Sequence, residues 1–202
     1  GSQVILNAGA TIVGGNLTST GTGQIRSAVN GSTAPVLDGV TVTAGSNLVQ
    51  NNQFDTVIRN GITNQGTWNL NGTTVTTNIT FDGSQTIDGA GEIVMSNSGA
   101  NRIVSGNANL DTLTLGASQT VRGAGQLLIG FGGMVNNGTI DATGTTAIFL
   151  NAGTPGFSNF GTLRASGTGG VDIISGSNFT QAGGLVDVQA ASRLDVVAGN
   201  YV

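Results

Sequence analysis

The sequence predicts an all-β fold, a parallel β-solenoid with coils of about 22–24 residues. Three observations predict it. The C-terminal third copies itself: Val135-Asn136-Asn137-Gly138-Thr139-Ile140-Asp141-Ala142 returns 23 residues on as Ser158-Asn159-Phe160-Gly161-Thr162-Leu163-Arg164-Ala165, then 22 further on as Thr180-Gln181-Ala182-Gly183-Gly184-Leu185-Val186-Asp187. The other half of the unit recurs too, as Ile148-Phe149-Leu150, Val171-Asp172-Ile173 and Leu194-Asp195-Val196 at 23-residue steps, each followed by a glycine (Gly153, Gly176, Gly199). Finally, apolar and polar residues alternate with period two in short runs between Gly, Asn and Thr clusters, which is the strand signature. A unit of this length with two or three such strands has no room for an ordinary helix. A fixed period in this range means that each unit hides its apolar side by stacking on the next.

Taken in order, residues 4–17 read as two short strands divided by an Ala-Gly turn. Gly21-Thr22-Gly23-Gln24-Ile25 anticipates Gly123-Ala124-Gly125-Gln126-Leu127. Leu37 to Val42 foreshadows Leu110 to Leu115, and Thr63 to Trp68 foreshadows Val135 to Ile140, at offsets of 73 and 72 residues, about three coils. Ser84 to Ile93 recurs as Ser118 to Leu127 at a step of 34, which predicts about eleven extra residues in a loop within Ser96 to Asn109. In the C-terminal coils, Asn136, Asn159 and Gln181 form a polar row in which stacked amides can hydrogen-bond. Gly138, Gly161 and Gly183 form a turn row, where glycine supplies the turn dihedrals. Ile140, Leu163 and Leu185 form a core row, and Trp68 aligns with it. The expectation is one domain over residues 1–202 with eight or nine coils, about 40 Å long at roughly 4.8 Å per coil. It reads as a piece of a larger repetitive protein, with Gly1-Ser2 a scar of expression.

Composition narrows the chemistry. The 202 residues include 35 glycines, six arginines, no lysine, no cysteine and no histidine, with a net charge of −4. Glycine without a triplet period excludes collagen, and 38% hydrophobic residues argue against disorder. So few cations disfavour nucleic acid, which needs a basic stripe. Without Cys and His there are no disulfides and none of the usual zinc ligands, and no apolar run approaches the ~20 residues of a membrane span.

The strings NNGTIDA, NFGTLRA, TQAGG and SQTVRGAGQL resemble the repeat coils of large bacterial surface exoproteins, the filamentous-haemagglutinin-like and autotransporter-passenger-like β-helices, from about Leu37 to Val202. The resemblance implies a right-handed parallel β-helix, export to the cell surface, and roles in adhesion or biofilm.

β-Helices also house polysaccharide lyases and hydrolases, and glycosidic chemistry needs two carboxylates at a fixed separation. The ten acids are scattered; the one local group is Asp82, Asp88 and Glu92, with Arg122 the nearest aligned base. A solvated face or a stacked ion pair is the expectation there. Gly-Ala-Gly at 89–91 and 123–125 lacks the following helix of a dinucleotide site, and no calcium-loop motif occurs. Asn-x-Ser/Thr triplets start at Asn16, Asn30, Asn71, Asn78, Asn137 and Asn178, mostly by chance in so Asn- and Thr-rich a chain. The run Thr73 to Thr77 would suit an ice-binding face only if Thr ladders continued coil after coil, and they do not.

The reading is therefore a non-enzymatic structural and adhesive shaft of a secreted or surface-anchored bacterial protein, with no catalytic, cofactor or metal site, and ligand-binding residues left open. Its partners would be a host or cell-surface glycan or protein, and coils or subunits stacked on its ends. A self-assembling filament or sheath subunit and a polysaccharide-active enzyme are the alternatives. Asp141 should pair with Arg164 across adjacent coils and Asp88 with Arg122, while Asp172 and Asp195 should align as like charges relieved by Arg193.

Overall fold

The computed structural model describes residues 1–28, 33–106, 110–129, 131–174 and 178–198. Over these the chain is all-β, a parallel β-solenoid of about eight turns. Three strand positions repeat around each coil and generate three faces. The first face starts with Gln3–Leu6, Gln24–Ser27, Asn47–Asn51 and Thr67–Asn71 and ends with Thr139–Ala142, Thr162–Ala165 and Leu185–Val188. The second runs from Thr11–Val13 to Ile148–Leu150, Val171–Ile174 and Leu194–Ala198. The third runs from Asn16–Leu17 through Gln85–Asp88 and Thr112–Leu115 to Phe157–Asn159 and Phe179–Gln181. Four long strands, Val36–Val42, Asp55–Asn64, Glu92–Ser105 and Thr120–Leu127, bend through a corner and serve two faces each, joining all 22 strands into one hydrogen-bonded sheet.

Alternation makes the core. On the first face a single inward row runs Val4, Ile25, Leu48, Trp68, Ile93, Val121, Ile140, Leu163 and Val186. Its members from Ile25 to Leu163 are buried, Trp68 completely, so Trp68 is core as its alignment predicts. The Trp68 indole N–H donates to Gln50 Oε1 at 3.1 Å, and the Gln50 amide donates in turn to the Phe54 and Asn78 carbonyls, so this buried polar pair is satisfied. The amide row is also present: Asn136 Nδ2 donates to Asn159 Oδ1 at 2.8 Å and Asn159 Nδ2 to Gln181 Oε1 at 3.0 Å. The row ends at Asn136, whose Oδ1 has no partner because its neighbour one coil down is Leu115.

The structure corrects four details of the register. First, Leu163 pairs with Val186, and Leu185 pairs with Thr162 and is 53% exposed, so Leu185 is not in the core row. One extra residue between Gln181 and Leu185 shifts the strand, and a slip of one exchanges the two faces. Second, the stacked glycine above Gly161 is Gly184, with Gly183 in the adjacent turn. Glycine is required at Gly138, Gly161 and Gly184 by proximity rather than dihedral angle. A Cβ there would overlap the backbone of the coil beneath, and only Gly183 has a positive φ, 88°.

Third, the 34-residue copy does not superpose coils. Gly89-Ala90-Gly91 turns from the third face to the first, whereas Gly123-Ala124-Gly125 turns from the first to the second. One corner motif, with φ of 102° at Gly89 and 119° at Gly123, serves two different edges. The expected eleven-residue loop is instead a four-residue difference at a corner: seven residues (95–101) lie between Val94 and Arg102, three (123–125) between their partners Arg122 and Gln126, and seven again (142–148) in the next coil. Asn97 bridges the short coil, donating to Thr145 Oγ1 at 2.6 Å and accepting from Thr146 N at 2.9 Å. Fourth, the coil step is less uniform than the C-terminal repeat suggests, from 19 residues (Thr120 to Thr139) to 28 (Glu92 to Thr120). The offsets of 72 and 73 do span three coils, by way of Ile62, Ile87, Leu115 and Asn136. Gly176, Gly199, Asn30 and Asn109 lie outside the described residues.

Candidate functional site

The acids singled out by the sequence do not converge. Asp82 pairs with Arg59 at 2.7 Å where the second face ends. Asp88 accepts from its own neighbour, Gly89 N, and borders a shallow groove of about 170 Å³ beside Asn60, Thr63 and Thr86. Glu92 lies on the first face and takes a two-pronged bond from Arg122, at 2.7 and 3.2 Å. That corrects the expected Asp88–Arg122 pair. Strand pairing sets Asp88 beside Thr63 and Arg122 beside Val94, so the two belong to different faces.

The outward row of the first face alternates in charge: Arg122, Asp141, Arg164 and Asp187. Asp141 and Arg164 are register partners as expected, but the short contact of Arg164, 2.8 Å, goes to Asp187, while Asp141 accepts from Ser166 Oγ at 2.7 Å. The one-residue shift at Gln181–Leu185 brings Asp187 into that row. Glu92 and its hydrogen bonds raise the pKa of the Arg122 guanidinium, with Asp141 adding to the effect. On the second face Asp172 and Asp195 align one coil apart, and Arg193 bridges both as expected. Asp172, through its hydrogen bond, likewise raises the pKa of Arg193.

The remaining features named by the sequence are local structure. Thr73 to Thr77 begins as a corner loop whose three amides, Thr73, Thr74 and Val75, all donate to Asn52 Oδ1 of the coil below. Asn78 is tied to Asp55 through both its backbone and side-chain nitrogens, at 2.9 and 2.8 Å. Asn16, Asn71, Asn137 and Asn178 are exposed. Among the described residues no three His, Cys, Asp or Glu side chains group to hold a metal ion, and no helix is long and apolar enough to cross a membrane.

A cleft that the sequence did not single out opens on the second face. It measures about 250 Å³ and is lined by Gln126, Ile129, Phe149 and Asn151. The outward row there reads Asn78, Arg102, Gln126, Phe149, Asp172 and Asp195. Alternation with buried Ile148 and Leu150 turns Phe149 and Asn151 outward. Gln126 is fixed from below, its Nε2 donating to Gly99 O at 3.0 Å. Beyond it the chain leaves the strand through Leu128 (φ 75°) and Ile129 (φ 43°), a left-handed pair that branched side chains adopt only under constraint. Two signals could have revealed the cleft: an aromatic at an outward strand position, and the run Leu127-Leu128-Ile129, which breaks alternation. Comparison with protein-family models, curated proteins and solved structures gives no match.

Proposed function

We propose that the chain is a rigid structural and adhesive shaft, a segment of a secreted or surface-anchored bacterial protein that holds a partner-binding face away from the cell. The observation that carries this reading is the way its charges are used. Arg59, Arg122, Arg164 and Arg193 are each committed to acids on other coils, so the charged side chains staple the stack rather than gather around a reaction centre. That arrangement supports a scaffold over polysaccharide cleavage, which needs paired carboxylates held about one substrate bond apart. A glycan or protein of a host or neighbouring cell is the partner class.

The test is retention of beads coated with the full chain on epithelial and bacterial cell layers, alongside an assay for new reducing ends in polysaccharide mixtures. Retention above bare beads without cleavage is the expected result. Cleavage without retention would replace the shaft with an enzyme.

A second reading, end-to-end self-assembly, is favoured by the apolar side chains on the outermost strands: Val4, Ile5 and Val13 at one end, and Val188, Val196 and Val197 at the other, are 43–75% exposed.

A further inference from the structure

We propose that the second-face cleft is a saccharide subsite, with Phe149 as the platform for a sugar ring, Gln126 and Asn151 as its hydrogen-bonding groups, and Arg102 as the selector for an acidic sugar. The proposal rests on the adhesive reading and names the ligand class of that surface.

Size comes first. At about 250 Å³ the cleft is smaller than the roughly 300–1,000 Å³ of drug-sized pockets, so it has room for a single ring and not for an extended cofactor. Its chemistry is that of a sugar site: one apolar face beside groups that can both donate and accept. The C–H face of a pyranose packs on an aromatic ring, and the chain spends its other large rings, Trp68, Phe81, Phe157 and Phe179, wholly inside. Phe149 instead faces out, one coil above Gln126. With Gln126 Nε2 held by Gly99 O, its Oε1 is presented to the cleft side as an acceptor. The Asn151 side chain has no hydrogen bond within the described residues and can donate and accept. Both groups stand on or beside paired strands, so little conformational entropy is lost when a ligand orders them.

Arg102 supplies the selectivity. It is the register partner of Gln126, one coil away on the same outward row. No acid of the described residues lies within ion-pairing distance of it, and its Nε is shielded from solvent without an acceptor. A guanidinium in that condition matches a carboxylate, which it can bind through two parallel hydrogen bonds. On the other side of Phe149 stands Asp172, an acid that would repel such a ligand, but Arg193 holds both of its oxygens. Arg102, Gln126 and Phe149 occupy three successive coils, so the site spans about 10 Å at the strand spacing. One acidic ring and its neighbour cover that span.

Calorimetric titration of the full chain with a galacturonate tetramer and with a neutral galactose tetramer tests the assignment. The acidic probe is expected to bind about tenfold more tightly than the neutral one. Phe149→Ala should weaken both by about tenfold or more, whereas Arg102→Gln should erase the acid preference and leave the neutral affinity unchanged. Thermal unfolding establishes that the variants are folded, and Phe149→Leu and Arg102→Lys, expected to give intermediate effects, take their place if they are not. Full affinity in the Phe149 variant, an acid preference that survives Arg102→Gln, or no binding of either probe overturns the subsite. Bead retention in the last case would leave the adhesive shaft standing with a different ligand, such as a protein, whereas loss of both removes the two readings together.

Discussion

At Asp55, burial and hydrogen bonding pull the carboxyl in opposite directions. Burial disfavours the charged form, while the Asn78 backbone and side-chain donors favour it; burial is the larger, and the pKa is raised above its ordinary value. The folded chain therefore keeps a proton at Asp55 that the unfolded chain has already released. The stabilisation this gives is present below the ordinary carboxylate pKa and is lost as pH rises through the raised folded value. Asp55→Asn keeps an acceptor for Asn78 N and removes the titration. Its melting temperature should equal or exceed that of the parent at neutral pH, with the difference vanishing near pH ~3; a deficit at neutral pH would mean that the hydrogen bonds outweigh burial. The amide row makes a second residue-scale case. Asn159→Ala deprives Gln181 Oε1 and the Leu185 carbonyl of a donor and Asn136 Nδ2 of an acceptor, all in the interior. Leaving such groups unpaired costs about 1–3 kcal/mol each at most, so denaturant unfolding should show a loss in that range. Asn137→Ala, at the exposed neighbour of the same motif, should stay within about 0.5 kcal/mol.

In the strand Thr162–Ala165 alternation decides what a substitution does. Leu163 is 1% exposed and touches the core row on both sides, whereas Arg164 projects outward to Asp187. Leu163→Asp should therefore lose several kcal/mol by burying an unpaired charge, and Arg164→Asp under about 1 kcal/mol by losing an exposed pair. Equal losses on thermal unfolding would contradict the assignment of faces. The corner before this strand separates two reasons for glycine. Gly161→Ala would drive a methyl into the Gly138 carbonyl and should cost about 3 kcal/mol, the upper end for overpacking. Gly183→Ala meets open space and suffers only its positive φ, about 1–2 kcal/mol.

These elements also mark what could be read beforehand. Period and alternation revealed the faces, the amide row and the place of Trp68, because stacking demands the same residue class at the same height in each coil. The shift at Gly183-Gly184-Leu185-Val186 was hidden, since both registers offer a glycine to the turn and an aliphatic to the core. The Gly-Ala-Gly corners misled for a related reason: the same backbone bend fits two edges of the prism, and only strand pairing tells them apart. Phe149 and Arg102 stayed unnoticed because a binding surface here is one outward row assembled from coils about 23 residues apart, with no local motif.

Across the whole molecule, every interior coil is stabilised by two neighbours and each terminal one by a single neighbour. Val4 and Ile25 occupy the same inward row of the first face, yet Val4 is 54% exposed and Ile25 1%. Ile173 and Val196 differ in the same way at the far end, 3% against 43%. The outermost strands also present unpaired backbone groups, which recruit further strands. Because the first-face row runs from Val4 to Val186 without interruption, the last coil of one copy set on the first coil of another would continue the row and cover both. Such a head-to-tail contact joins unlike surfaces and builds a filament when it does not close into a ring. Under the self-assembly reading, sedimentation velocity across a concentration series should show an average mass that climbs with concentration. Val4→Lys together with Val196→Lys should hold the chain monomeric, since each lysine would have to be buried at the joint. Val202, the outermost apolar residue of the sequence, lies outside the described residues, so Val4 and Val196 are the sites to change. A parent chain that remains monomeric at the highest concentration removes the filament reading and leaves the shaft with its lateral face as the binding surface.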